Sequence, residues 1–179
     1  MFGLPLHPSV VHFPIVLTVL LPIFAFAALW AIRQGTTPRR AWSVPVAVAA
    51  ALALSAFVAT RTGEAEEERV ERVVSESAIH DHEEAAERFL MLSGVLLLVA
   101  VAGLLPRTVG RAARIVTAAG TVGLAAAGAQ VGHSGGTLVY RHGAARAYTE
   151  SVARAGGTEL PAEAPGSRTG DDSDHGNDH

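Results

Sequence analysis

The chain alternates between long uncharged apolar stretches and short blocks that hold almost all of its charge. Four stretches reach the ~17–25 residues that a helix needs to cross a hydrocarbon core of ~30 Å. They cover residues 10–32, 41–60, 89–105 and 115–131. A soluble bundle would need a polar face on each helix, and none of the four stretches offers one. Because backbone groups in lipid must bond within their own segment, the pattern predicts an all-α fold, an integral membrane four-helix bundle.

The charged connections predict the orientation of the chain in the membrane. Residues 33–40 and residues 106–114 each contain three arginines and no acidic residue. The positive-inside rule places both connections in the cytoplasm, so both termini and the acidic connection at residues 61–88 are expected outside. The absence of lysine and the abundance of Ala, Gly and Val are typical of a GC-rich bacterial genome. The expected location is therefore the bacterial cytoplasmic (inner) membrane, with several spans.

The regions outside the four stretches differ in character. The acidic connection is predicted to form an amphipathic connector helix on the outer end of the bundle, because its apolar residues have the 3, 4 and 7 spacing of one helical stripe. These residues are Val70, Val73, Val74 and Ser77. After Tyr148 the chain turns polar and rich in glycine and proline, a composition that cannot offset its ordering entropy. We expect a transmembrane domain at residues 1–148 and a flexible, disordered C-terminal tail at residues 149–179.

All eight histidines fall on the predicted outer side, and three lie within or next to apolar helix: His12, His82 and His133. A polar side chain at membrane depth is a candidate functional residue. Histidines on facing helices often hold haem b, so the first hypothesis is haem b bound by two of these three for electron transfer.

Two alternatives remain open. Glu66 could join His12, His82 and His133 in a site for zinc, copper or non-haem iron, since imidazole suits all three metals. Alternatively, the histidines only hydrogen-bond helix ends, and the chain is a cofactor-free accessory subunit of a larger membrane complex.

Other function classes find little support in the composition. There is no cysteine, and no catalytic serine or phosphate-binding loop is visible. Residues 132–136 superficially resemble a nucleophile motif but lack its strand–turn–helix context. We therefore expect no catalytic residues and no independent enzyme activity. A net charge of −3 gives no reason to expect nucleic acid as a partner. The expected partners are the lipid bilayer and a redox or membrane-complex protein.

Several motifs together resemble one family of bacterial membrane proteins. The first is Leu6-His7-Pro8 followed by Val11-His12-Phe13-Pro14, and the last is residues 132–140 followed by His142-Gly143. Weaker matches are Thr62-Gly63 with Glu66, and His82-Glu83. The sequence in this respect resembles the family catalogued as domain of unknown function 2231. The resemblance implies a four-helix membrane architecture, and the association of some relatives with Rieske-type redox domains implies a link to electron transfer.

Overall fold

The computed structural model describes residues 7–71, 74–141 and 144, and within this part of the chain every regular element is helical. The helices are α1 (His7–Val10), α2 (His12–Arg33), α3 (Pro38–Glu64), α4 (Glu67–Val70), α5 (Glu76–Ala102) and α6 (Arg107–Tyr140). The predicted tail at residues 149–179 and the stripe residue Val73 lie outside the described residues.

Four helical segments are long and apolar enough to cross a membrane: α1 together with α2, then α3, α5 and α6. Short connections at residues 34–37 and 103–106 make sequential spans antiparallel. Helix α2 packs on α3 and α6, and α5 packs on the same two helices, so the four long helices close into a ring. The predicted all-α four-helix architecture is confirmed.

Many of the buried residues of the bundle are small, and many large apolar side chains are exposed. Alanines such as Ala25, Ala49 and Ala100 are buried, which lets the helix backbones approach closely. Large apolar side chains face outward on every long helix, for example Phe26, Leu54, Leu98 and Val122. In water, such a continuous apolar surface would drive association. In lipid it carries no such cost, and packing of small residues is what holds helices together there. The packing is that of an integral membrane protein.

The two ends of the bundle have different chemical character. One end holds the connections at residues 34–37 and 103–106 with their flanking arginines, and we name it the arginine end. The other holds α1, α4, the start of α5 and the last turns of α6, and we name it the histidine end.

Two buried side chains close the arginine end. Trp42 is fully buried, and its indole Nε1–H donates to the backbone oxygen of Ala100 at 2.9 Å. Arg114 is also buried, and its guanidinium donates to the backbone oxygen of Gly103 at 2.6 Å. Both contacts fix the last turn of α5 and the tight connection that follows it. Gly103 must be glycine here, because a Cβ atom would collide with the Trp42 indole.

The acidic connector is folded back onto the histidine end. It contains α4, but the helix does not continue to Ser77 as the apolar stripe predicted, because Ser75 is extended (ψ 137°) and Ser77 lies in the first turn of α5. Val74 and Ile79 are buried there with Leu138 packed against them. This contact explains why α6 extends to Tyr140, well beyond the predicted end of the span at residue 131.

Candidate functional site

The polar side chains of the histidine end lie at the depth where the apolar layer ends. His82 is roughly 20 residues from Ala102 at the other end of α5, and His12 is roughly 20 residues from Arg33 on α2. At ~1.5 Å per helical residue, these separations are ~30 Å, the thickness of the hydrocarbon core. The site is therefore at a membrane boundary rather than in the middle of the bilayer.

His7 lies on α1, the short helix that packs on α3 and α2. Its ring Nδ1 is 2.9 Å from the backbone oxygen of Ala59 and 3.4 Å from the hydroxyl oxygen of Thr62. A carbonyl oxygen can only accept, so Nδ1 carries the proton and donates it. In the neutral imidazole the other ring nitrogen, Nε2, keeps its lone pair. The backbone N–H of His7 donates to the Glu66 carboxylate at 3.3 Å, which fixes α1 over the end of α3.

His82 makes an equivalent contact with α6. Its ring Nδ1 is 2.9 Å from the hydroxyl oxygen of Ser134. The Ser134 hydroxyl donates its own hydrogen to the backbone oxygen of Val131 at 3.0 Å, so toward His82 it acts as the acceptor. Nδ1 of His82 is then the protonated nitrogen, and Nε2 again keeps its lone pair.

Each imidazole lies against a glycine of the neighbouring helix. A Cβ atom at Gly63 on α3 would lie 3.2 Å from Cε1 of His7. A Cβ atom at Gly135 on α6 would lie 3.1 Å from Cε1 of His82. Glycine at both positions lets the rings rest almost directly on the helix backbones. His7 and His82, on different helices, therefore pack in the same way, each with its ring against a glycine of a neighbouring helix.

His7 and His82 lie at the same end of the bundle, and both side chains are half-buried. Carboxyl groups lie at the same end: Glu66 accepts the backbone N–H of His7 at 3.3 Å, and the carboxyl groups of Glu67 and Glu83 lie close to each other. The histidine end therefore combines two nitrogen lone pairs with several carboxyl groups.

The structure separates the residues that the sequence grouped as ligands. His82 and Glu66 belong to the cluster around His7, whereas the side chains of His12 and His133 are exposed on the outer surface of the bundle. His133 lines a shallow groove of about 320 Å³ with residues of the last turns of α6. These are Gly132, Gly136, Thr137, Tyr140 and Arg141. In the part of the chain that the structure describes, no group of three or more His, Asp or Glu side chains is placed to hold a metal ion.

Sequence reasoning placed His7 at the same end of the bundle as His82 but did not name it as a candidate ligand. The ligand set was chosen from histidines within or next to apolar helix, and His7 precedes the apolar stretch. A usable signal was present in its neighbours. Gly63 lies in the last turn of α3, at the same membrane depth as α1. A glycine at the depth of a membrane-boundary histidine indicates that the histidine ring can pack against the helix backbone.

Comparison with known proteins gives one match. No curated protein and no solved structure matches the chain. Residues 3–147 match the sequence profile of a family described as predicted membrane protein, which agrees with the four apolar helices of the bundle. The matched region includes both histidines of the site and both glycines beneath them. The chain therefore belongs to the family known as domain of unknown function 2231.

Proposed function

We propose that the protein is a membrane-embedded electron carrier that binds haem b, and that His7 and His82 would hold its iron. The supporting observation is the state of the two rings. Each Nδ1–H is used in a hydrogen bond of 2.9 Å, and each Nε2 retains its lone pair. Histidines that bind metals donate their other ring N–H in this way, which fixes the ring and raises its basicity. Histidine pairs on different helices are the usual ligands of haem in helical bundles.

The number of available ligands favours haem over a non-haem ion. Structural zinc takes four protein ligands and catalytic zinc takes three. Among the described residues, no three His, Asp or Glu side chains are grouped to hold an ion. Haem requires only axial ligands from the protein, because its porphyrin nitrogens already bind the iron. A zinc, copper or non-haem iron site would need further ligands beside the two rings, and Glu66, which accepts the backbone N–H of His7, is the candidate from the sequence.

The residues around the rings have defined roles in this proposal. When bound, haem supplies one-electron ferric–ferrous chemistry. The carbonyl oxygen of Ala59 and the hydroxyl of Ser134 orient the imidazoles, and the apolar helices below them exclude water from one side. The polar rim at the membrane boundary leaves the site accessible to a redox partner protein, which exchanges single electrons with it.

Charge supports an orientation with the histidine end outside the cytoplasm of a bacterial inner membrane. Residues 33–40 and 106–114, at the arginine end, hold six arginines and no acidic residue, which is the pattern of cytoplasmic loops. A reporter fused after Tyr148 should be active only outside the cytoplasm. A reporter inserted at Gly35 should be active only inside it, and the reverse result for the pair would invert the proposed orientation.

The test of the haem proposal is an absorption spectrum of protein purified from haem-replete cells. A Soret band and, on reduction, sharp α and β bands are expected. His7→Gln and His82→Gln should each lower the haem content sharply, because glutamine keeps a hydrogen-bonding group but is a poor iron ligand. His80→Gln is the matched control, since His80 is exposed on the same helix as His82 and should keep the haem.

Other outcomes would replace the proposal. Loss of haem in His12→Gln or His133→Gln, with His7→Gln unaffected, would return the site to the ligand set expected from sequence. A colourless protein with stoichiometric zinc, copper or iron would favour the non-haem alternative. A colourless, metal-free protein that co-purifies with a membrane complex would favour the accessory subunit.

A further inference from the structure

The arginine end carries a concentrated positive charge that no carboxylate of the described residues neutralises. Exposed guanidinium groups lie on the ends of α2, α3 and α6, at Arg33, Arg39, Arg40, Arg107 and Arg111. Residues 1–63 and 88–148 contain no Asp or Glu, so none of the long helices brings a carboxylate to this end. The two ion pairs among the described residues join arginines to glutamates of residues 64–87, at the histidine end.

The arginines of different helices form one surface because a contact joins their segments. Nε of Arg39 donates to the backbone oxygen of Leu104 at 3.3 Å, which ties the start of α3 to the connection before α6. Arg107 follows Leu104 by three residues, at the start of α6. Helix α2 packs on α6, so Arg33 at the end of α2 belongs to the same end surface.

The connection that presents Arg107 is tightly built. The buried Arg114 guanidinium holds the backbone oxygen of Gly103, as described above. Gly110 lies against the backbone of Leu105, where a Cβ atom would overlap the carbonyl oxygen. The exposed arginines beside this connection are therefore presented from a fixed backbone rather than from a flexible loop.

The depth of this surface matches the phosphate layer of a bilayer. Arg33 directly follows the apolar residues of α2, and Arg40 directly precedes those of α3. Trp30, one turn before Arg33, is 65% exposed, as expected for an indole at the membrane–water interface. A guanidinium at this depth meets lipid phosphates, to which it can donate two parallel hydrogen bonds.

We infer that the arginine end binds the headgroups of anionic phospholipids, with Arg39, Arg107 and Arg111 as its principal contacts. This inference is independent of the haem proposal, because it concerns the opposite end of the bundle. Phosphatidylglycerol and cardiolipin have the required chemistry, a phosphate without a compensating ammonium group. A zwitterionic headgroup such as phosphatidylcholine would bring its own positive charge to the surface and bind less well.

The experiment measures lipid bound to the purified full chain in detergent by native mass spectrometry. The probes are phosphatidylglycerol and phosphatidylcholine with identical acyl chains. Phosphatidylglycerol should bind at least tenfold more tightly at low salt, and the preference should shrink as salt rises. Replacing Arg39, Arg107 and Arg111 by Gln should weaken phosphatidylglycerol binding by about fivefold for each arginine removed. The matched control, Arg61→Gln with Arg88→Gln, removes two arginines at the histidine end and should leave binding unchanged.

Two results would overturn the inference. The first is equal binding of phosphatidylglycerol and phosphatidylcholine by the native chain, which needs no variant and does not depend on how a variant folds. The second is a triple variant that binds phosphatidylglycerol as tightly as the native chain. Competition by millimolar inorganic phosphate that removes the bound lipid would show that the site takes free phosphate instead of a headgroup.

Discussion

The two ends of the bundle use the same kind of contact, a side chain donating to an oxygen of a neighbouring helix or loop, with opposite consequences. At the arginine end the donors are Trp42 and Arg114, and neither side chain has a lone pair left to offer. At the histidine end the donors are His7 and His82, and each keeps an acceptor nitrogen after donating. The first set of contacts closes the structure. The second set leaves one ring nitrogen of each neutral imidazole able to accept, so the two ends differ in what their donors can still bind.

The largest effect expected from this comparison is on stability at the arginine end. Trp42→Ala should lower the free energy of unfolding by about 3–5 kcal/mol, because it leaves a cavity where a fully buried indole packed. Thermal or denaturant unfolding in detergent would measure the loss. If packing at the arginine end does not influence the site at the histidine end, the Trp42→Ala protein that remains folded should still bind haem.

Two control variants separate the contribution of Trp42 packing to stability from that of its hydrogen bond. Trp42→Phe keeps most of the ring volume but removes the Nε1–H that binds the Ala100 carbonyl, so it should cost about 1 kcal/mol. Trp30→Ala changes an indole that is 65% exposed, and its effect on unfolding should be small. A Trp42→Ala protein as stable as the native chain would show that the arginine end does not hold the bundle closed.

The four-helix architecture could be predicted from sequence because it depends on local properties of each segment, which need no knowledge of contacts between segments. Apolar length, charge-free stretches and charged connections are enough to place four helices, and the structure agrees. The helix ends were less predictable, because they depend on tertiary contacts. Leu138 prolongs α6 by packing on Val74 and Ile79, a contact between segments far apart in sequence.

The site was only partly predictable, for a related reason. His82 and Glu66 were selected by position, and both lie in the cluster. His133 was favoured because glycines surround it, but side-chain direction on a helix depends on the register of packing. Ser134 and Gly135 face His82, while His133, one residue earlier, turns to the outer surface. A change of one residue rotates a helical side chain by about 100°, which composition alone cannot resolve.

The next largest effect should come from the glycine beneath His82. Gly135→Ala places a methyl group 3.1 Å from Cε1 of the ring, so the imidazole must shift by a few tenths of an ångström from the position that Ser134 fixes. Disturbing the residues that orient a ligand costs about 10- to 100-fold in metal affinity, and we expect the upper part of this range. Haem titration of the apoprotein would measure it.

Gly136 provides the matched control for that substitution. It lies on the same helix one residue later, and a Cβ atom there would meet nothing within 4 Å. Gly136→Ala should keep haem affinity and raise helix stability by up to ~1 kcal/mol through its better helix propensity. Equal haem loss in both variants would mean that any Gly→Ala change in this part of α6 lowers the haem affinity. The contact between the His82 ring and Gly135 would then have no special role.

The smallest effect expected is that of Ser134→Ala, which tests whether the hydrogen bond between His82 and Ser134 raises the haem affinity. The substitution removes the acceptor of the His82 Nδ1–H but leaves the ring on Gly135. The backbone oxygen of Val131 also lies near the ring and loses the serine hydroxyl, so it can accept the ring proton instead. We therefore expect a loss of about 10-fold in haem affinity, the lower end of the range for such contacts, together with a shift of the haem reduction potential.

Ser134→Thr keeps the hydroxyl and should restore both values, whereas Thr137→Val, whose native hydroxyl donates to its own helix, should change neither. A Ser134→Ala protein that loses haem as completely as His82→Gln would show that the carbonyl of Val131 cannot take over and that the serine is required to hold the ring.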